Sequence, residues 1–199
     1  MIFAASVAER LLVLQGQRLA VGRGRGRRHR GVGHHALGLQ VPRIVAFIAA
    51  PRRLGKHQHL EGGRHASPFG RIMEEELCAR PVQVGIRTLT PHQREQIARF
   101  NVDTIEMQHF AGGARPRVSG PVYLSIDLDG LDPAFAPGVS HREPGGLSVR
   151  DVLQMIHGLG GPIVGADVVE FNPSQDLGGV TASVAAKITR EIAGSIILA

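Results

Sequence analysis

Near the middle of the chain, the run Pro121-Val122-Tyr123-Leu124-Ser125-Ile126 leads straight into three carboxylates, Asp127, Asp129 and Asp132, closed by Pro133. An uncharged, mostly apolar run of this length reads as a buried strand. Side chains alternate along a strand, so Asp127 and Asp129 are expected on one face and Ile126 and Leu128 on the other. Two carboxylates sharing one face at a strand end are costly unless positive charge sits between them. A hard or borderline divalent cation is the usual answer.

The surrounding sequence says what kind of sheet would hold such a strand. Ser67-Pro68 starts a predicted helix reaching about Ala79, with Phe69, Ile72, Met73 and Leu77 on one face. Pro81 to Ile86 reads as a strand, Thr90-Pro91 caps a helix to about Phe100, and Val102 to Met107 reads as another strand. Ser148 with Asp151 resembles a capping box for a helix ending at Gly158. Ile163 to Glu170 is a further strand, and the last helix spans roughly Val180 to Ala193. This alternation predicts a three-layer α/β/α sandwich with a mainly parallel sheet. Ligands in such folds bind beyond the carboxyl ends of the strands, where Asp127, Asp129 and Glu170 all fall.

Upstream the pattern decays. Residues 1–60 hold ten Arg and one Lys against Glu9 alone, a net of +10, whereas residues 61–199 hold twelve basic and sixteen acidic residues, a net of −4. Arg23-Gly24-Arg25-Gly26-Arg27-Arg28-His29-Arg30 is low-complexity and cannot pack a core. Only Arg43 to Ala50 reads as a strand there. At 199 residues and 43% hydrophobic, one domain is the simplest division, with 1–60 an atypical basic segment and 61–199 the folded part. No apolar stretch approaches the roughly 20 residues of a membrane span, so no membrane partner is expected. Met1 to Gln15 lacks a basic start and a cleavage site, so no signal peptide is read there. The single cysteine, Cys78, excludes an internal disulfide and fits a cytoplasmic location; it reads as a packed thiol on a helix.

Three readings compete for the acidic motif. A calcium loop starting at Asp127 fails, because its sixth position is Asp132 instead of Gly and its twelfth is Gly138 instead of Glu. A haloacid-dehalogenase-like phosphatase matches locally through Asp127-Leu128-Asp129-Gly130, but Leu131 stands where Thr or Val is usual, and no paired acidic motif follows.

The third reading reaches further. Ser-x-Asp-x-Asp-x-x-Asp-Pro, then Ala136-Pro137-Gly138 and Glu143-Pro144-Gly145-Gly146-Leu147-Ser148, resembles the ureohydrolases, the family of arginase and agmatinase. Ile163 to Pro173, Gly178-Gly179-Val180-Thr181-Ala182, His65-Ala66-Ser67-Pro68-Phe69 and Val82 to Arg87 match further blocks in order, over about residues 61–199, with the last two closer to the agmatinase branch. The resemblance implies a pair of manganese ions that activate a bridging water, which attacks a guanidinium carbon and releases urea. It implies that Asp127 bridges both metals, Asp129 binds one, Glu170 holds the substrate guanidinium, and His65 shuttles the proton. His141, in the loop lining the mouth, is expected to touch substrate, although Arg142 beside it is an awkward neighbour for a cation. Asp132 is expected to orient its turn instead of binding metal. Homo-oligomers, trimers or hexamers, are implied as well.

The same resemblance exposes a gap. Four of the family's six metal ligands come from Gly-Gly-Asp-His and Asp-Ala-His-x-Asp motifs, and this sequence has neither. Laid on the second motif, Ala49, Pro51 and Arg53 stand where Asp, His and Asp belong, and none of them binds a cation. Gly33-His34-His35 is the nearest approach to the first. The expectation is a small guanidino substrate such as agmatine, with activity impaired or absent. Arginine is expected less, because Thr88-Leu89-Thr90-Pro91 offers no acidic group for an α-amino end. A non-catalytic remnant, or nucleic-acid binding through residues 22–30, stays open, though no aromatic residue is interleaved there for base stacking.

Overall fold

The computed structural model describes residues 44–48, 68–74 and 76–197. Five strands form one sheet: β1 (Ile44–Ile48), β2 (Pro81–Ile86), β3 (Asp103–Glu106), β4 (Val122–Asp127) and β5 (Ile163–Val169). All pairings are parallel and the order is β3-β2-β1-β4-β5. The chain runs outward from β1 through β2 to β3, then returns to place β4 on the opposite side of β1. The order therefore reverses between β1 and β4, and the ligand crevice of an open α/β sheet lies at such a switch point.

The helices are α1 (Pro68–Glu74), α2 (Pro91–Arg99), α3 (Met107–Ala111), α4 (Val149–His157) and α5 (Val180–Ile197). Two starts follow from local chemistry. Thr90 accepts from the Gln93 amide while the Gln93 side chain accepts from Thr90, with Pro91 in the first turn. Ser148 and Asp151 form the same reciprocal box at α4. Each cap is worth about 1 kcal/mol.

The sheet is covered on both faces. From β4, Val122, Leu124 and Ile126 pack with Val152, Ile156 and Ile188 of α4 and α5. Tyr123 instead joins Phe69, Ile72 and Leu77 on the α1 side. Asp167 of β5, paired in register with Ser125, accepts hydrogen bonds from Tyr123 (2.9 Å) and Ser125 (2.6 Å). Odd-numbered residues of β4 thus face α1 and even-numbered ones face α4 and α5, as strand alternation requires. The three-layer α/β/α sandwich is present, with β4 interior.

Several boundaries differ from the sequence expectation. The first helix stops at Glu74, short of Ala79. Leu77 N–H bonds to Ile72 O and Glu76 N–H to Met73 O, with Glu76 at φ 52, so a Schellman motif ends it. Leu77 and Ile72 touch across that end, supplying the motif's apolar contact. Cys78 consequently lies in the following loop, not on a helix. The strand expected from Val102 to Met107 is four residues long, and α3 follows it at once. The last helix continues past Ala193 to Ile197. Residues 1–43, including the Arg-Gly segment and His35, lie outside the described residues, as do Ala49, Pro51, Arg53 and His65.

Candidate metal centre

β4 ends at Asp127 and does not continue to Asp129. Leu128–Gly130 is a 3-10 turn, capped by the Asp127 side chain accepting from the Asp129 amide at 2.9 Å. Both carboxylates are interior, 2% and 3% exposed. The turn re-aims Asp129, and one group of three ligand-type side chains results among the described residues. Asp129, His141 and Glu170 each offer an atom within 4.8 Å of the other two. His141 Nδ1 lies 3.1 Å from Asp129 Oδ2. Asp127 adjoins this group through the Asp129 amide without being one of the three.

The loop that delivers His141 is built by backbone chemistry. Asp132 accepts from the amides of Ala134 (2.9 Å), Gly145 (2.6 Å) and Gly146 (3.2 Å). These bonds, led by that of Ala134, hold its carboxyl below the usual range, and they give Asp132 the turn-orienting part expected of it. Leu147 pairs with the 130–132 segment, and Gly146 packs so tightly that a Cβ there would lie 2.6 Å from the Asp132 nitrogen. Further along, Asn172 N–H bonds to Gly138 O at 2.8 Å and its side chain donates to Ser140 at 3.0 Å. Residues 138–140 are therefore fastened to the segment just after Glu170, which brings His141 to Glu170. Glu170 itself adopts φ 67, outside the preference of a non-glycine residue. That conformation costs about 1–2 kcal/mol and marks the point where the chain leaves β5.

Two arginines have parts that the sequence did not disclose. Arg142 donates to Pro137 O (2.7 Å) and to the Gln175 carbonyl (2.8 Å), so its guanidinium is turned toward the loop. Arg87, at the end of β2 with its side chain 5% exposed, donates to the carbonyls of Asp129, Leu131 and Glu143. One guanidinium thus ties the metal-side turn to the His141 loop.

Carboxylate donors with an imidazole beside them suit a divalent first-row ion such as manganese. The three ligand atoms lie within 4.8 Å of one another, close enough to gather around a single cation. Asp129 and His141 can serve one ion with water completing its shell, which leaves the Glu170 carboxylate beside them. This donor set does not by itself make a cage for two.

An open parallel sheet with carboxylates and an imidazole beyond its carboxyl edge, at a strand-order reversal, is the architecture of an α/β protein with a candidate metal site in its ligand crevice. A family model described as arginase family matches residues 54–194. The chain belongs to the arginase family. It is 54% identical over 141 residues to arginase 1, mitochondrial, of Arabidopsis thaliana, covering 66% of this chain and 41% of that protein. It is 39% identical over 142 residues to a guanidinopropionase of Pseudomonas aeruginosa, covering 64% of this chain and 45% of that protein. The arginase structure from Medicago truncatula superposes with a TM-score of 0.70 at 45% identity, covering 76% of this chain and 51% of that one. The chain thus spans about half the length, or less, of the relatives it matches. Family membership sets the haloacid-dehalogenase alternative aside.

Proposed function

We propose that the chain derives from a ureohydrolase that converts a linear guanidino compound to an amine and urea, and that alone it holds only part of the catalytic centre. The convergence of Asp129, His141 and Glu170 at the carboxyl ends of β4 and β5 carries this reading. Asp129 and His141 would hold one manganese ion, with Asp127 beside them. When bound, the ion supplies a water of lowered pKa. Glu170 accepts the guanidinium in a charge-assisted pair, directly against the metal-binding carboxylate, so that substrate is held by proximity rather than by chance encounter. His141, with Nδ1 3.1 Å from Asp129 Oδ2, would complete the ligand pair with Asp129 at the exposed mouth of the site, where substrate arrives. The proton shuttle stays with His65, which lies outside the described residues.

The impairment rests on chemistry: Ala49, Pro51 and Arg53 supply no metal donor. Agmatine and arginine are the substrates to try. The expected result is no measurable urea release with excess manganese; turnover abolished by Asp127→Ala would mean that the missing ligands come from elsewhere. Exposed Val164, Phe171, Leu177 and Val180, on and after the outer strand β5, favour self-association. Sedimentation showing only compact monomers would remove that part of the reading. Among the described residues no helix is long and apolar enough to cross a membrane.

A further inference from the structure

We propose that Glu143 selects the far end of the substrate, favouring guanidines that carry an ammonium tail over guanidino acids. This rests on the ureohydrolase reading of the site. The expectation that no acid stands near the segment after Arg87 held only along the chain. In space, Glu143 arrives from the His141 loop, and its Oε1 accepts from Thr88 Oγ1 at 2.7 Å. Its Oε2 lies 3.8 Å from Arg87 Nε, and the side chain keeps 42% exposure.

Three features make this carboxylate a recognition group. It is fixed, because Thr88 holds one oxygen and Arg87 binds the Glu143 carbonyl. It stands beside the centre, because the same guanidinium also binds the Asp129 carbonyl, placing both residues around one side chain. Among the described residues, the neighbouring arginines point elsewhere: Arg87 is buried, and Arg142 donates to Pro137 and Gln175. Asp129 lies close to Glu170 and shares Arg87 with Glu143, so in this proposal the tail of a guanidine held on Glu170 lies at Glu143. An ammonium finds a carboxylate there, whereas a terminal carboxylate meets like charge. Agmatine satisfies the rule and guanidinopropionate does not; arginine carries both groups at its far end and falls between them.

The plainer role for Glu143 is as counter-ion to the buried Arg87, and the experiment separates the two. Agmatine and 3-guanidinopropionate are titrated calorimetrically into the full chain with manganese, in the native protein and in Glu143→Gln. Agmatine should bind more tightly, and the substitution should shrink the ratio of affinities about fivefold, as expected for one partly exposed charge contact. Thr88→Val, which frees the carboxylate without removing it, should shrink the ratio by less; this arm serves if Glu143→Gln does not fold. Retained binding with an unchanged ratio, whatever happens to the melting temperature, overturns the selector alone. Failure of both guanidines to bind overturns the selector and the functional reading together.

Discussion

Replacing Arg87 by Met keeps a long side chain in place while removing every donor from the interior junction of β2, the Asp129 turn and the His141 loop. Three carbonyls lose their partner: those of Asp129, Leu131 and Glu143. Asp129 and Leu131 are 3% and 1% exposed, so water cannot replace the guanidinium there. Each orphaned buried acceptor costs about 1–3 kcal/mol. Glu143 sits at the rim, and its carbonyl regains water at little cost. Some of the loss is returned, because Arg87 Nε is buried with no hydrogen-bond partner and its desolvation disappears with it. The net expectation is a loss of about 3 kcal/mol, a large share of the roughly 5–15 kcal/mol that holds a domain together. Arg87→Lys keeps the charge but reaches as a single point instead of a fork, so it should recover about half. Urea denaturation at neutral pH, with midpoints compared at constant slope, measures both variants. A Met variant within about 0.5 kcal/mol of the native chain, or a Lys variant equal to native, would falsify the three-carbonyl account.

Glu191 bridges α4 and α5 by accepting from Lys187 and pairing with His157 at 2.8 Å, and these bonds, that of Lys187 first, pull its pKa from the ordinary 4.5 to about 2. A carboxylate with a lowered folded-state pKa stabilises fully above its unfolded value, so this contribution should fade as pH falls from about 4.5 toward 2. Glu191→Gln should flatten that part of an acid-denaturation curve, and an unaltered acid limb would count against the bridge. Burial pushes the Cys78 thiol up to about 11, so it should resist alkylation at neutral pH in the folded chain and react freely in denaturant. Rapid native labelling would show that its loop opens. For metal, purified chain should hold well under two manganese ions, and weakly, by calorimetric titration; two ions surviving dialysis would show that a second donor set exists.

The parts of the fold legible from sequence are those written locally. Thr90 with Gln93, and Ser148 with Asp151, announce helix starts within four residues. The apolar run before Asp127 could only be an interior strand. Termini without such signals were misplaced: Glu76 takes the left-handed cap position that glycine usually marks, so nothing in the sequence warned that the helix stops before Ala79. The 3-10 turn at Leu128–Gly130 was hidden for a similar reason. Strand alternation gives the right face for Asp127 but says nothing about an Asp127 side chain that folds back on the next amides. The site shows the same division. Asp127, Asp129, His141 and Glu170 carry recognisable motifs, whereas Arg87 and Glu143 act through contacts 42 to 56 residues apart in sequence. Such contacts follow from strand order, and no local pattern placed β1 at the centre of the sheet.

That central position sharpens the question of the N-terminal segment. β1 and β4 are neighbours at the reversal of strand order, where a ligand crevice is expected. The segment after β4 carries carboxylates. After Ile48 the sequence reads Ala49-Ala50-Pro51-Arg52-Arg53. A strand paired in register on both sides, followed by residues that cannot ligate and would repel a cation, is hard to reconcile with gradual adaptation of one site. The charge inversion near Glu61 points the same way, since +10 gives way to −4 without any change in what a parallel sheet requires. We infer that residues 1–60 do not descend throughout from the family's reading frame. The coding DNA tests this directly: another frame upstream should encode aspartate and histidine at the family's spacing after an apolar run. If no upstream frame does, the segment has diverged in place, and the search for the missing ligands must turn to His34, His35 and a partner chain.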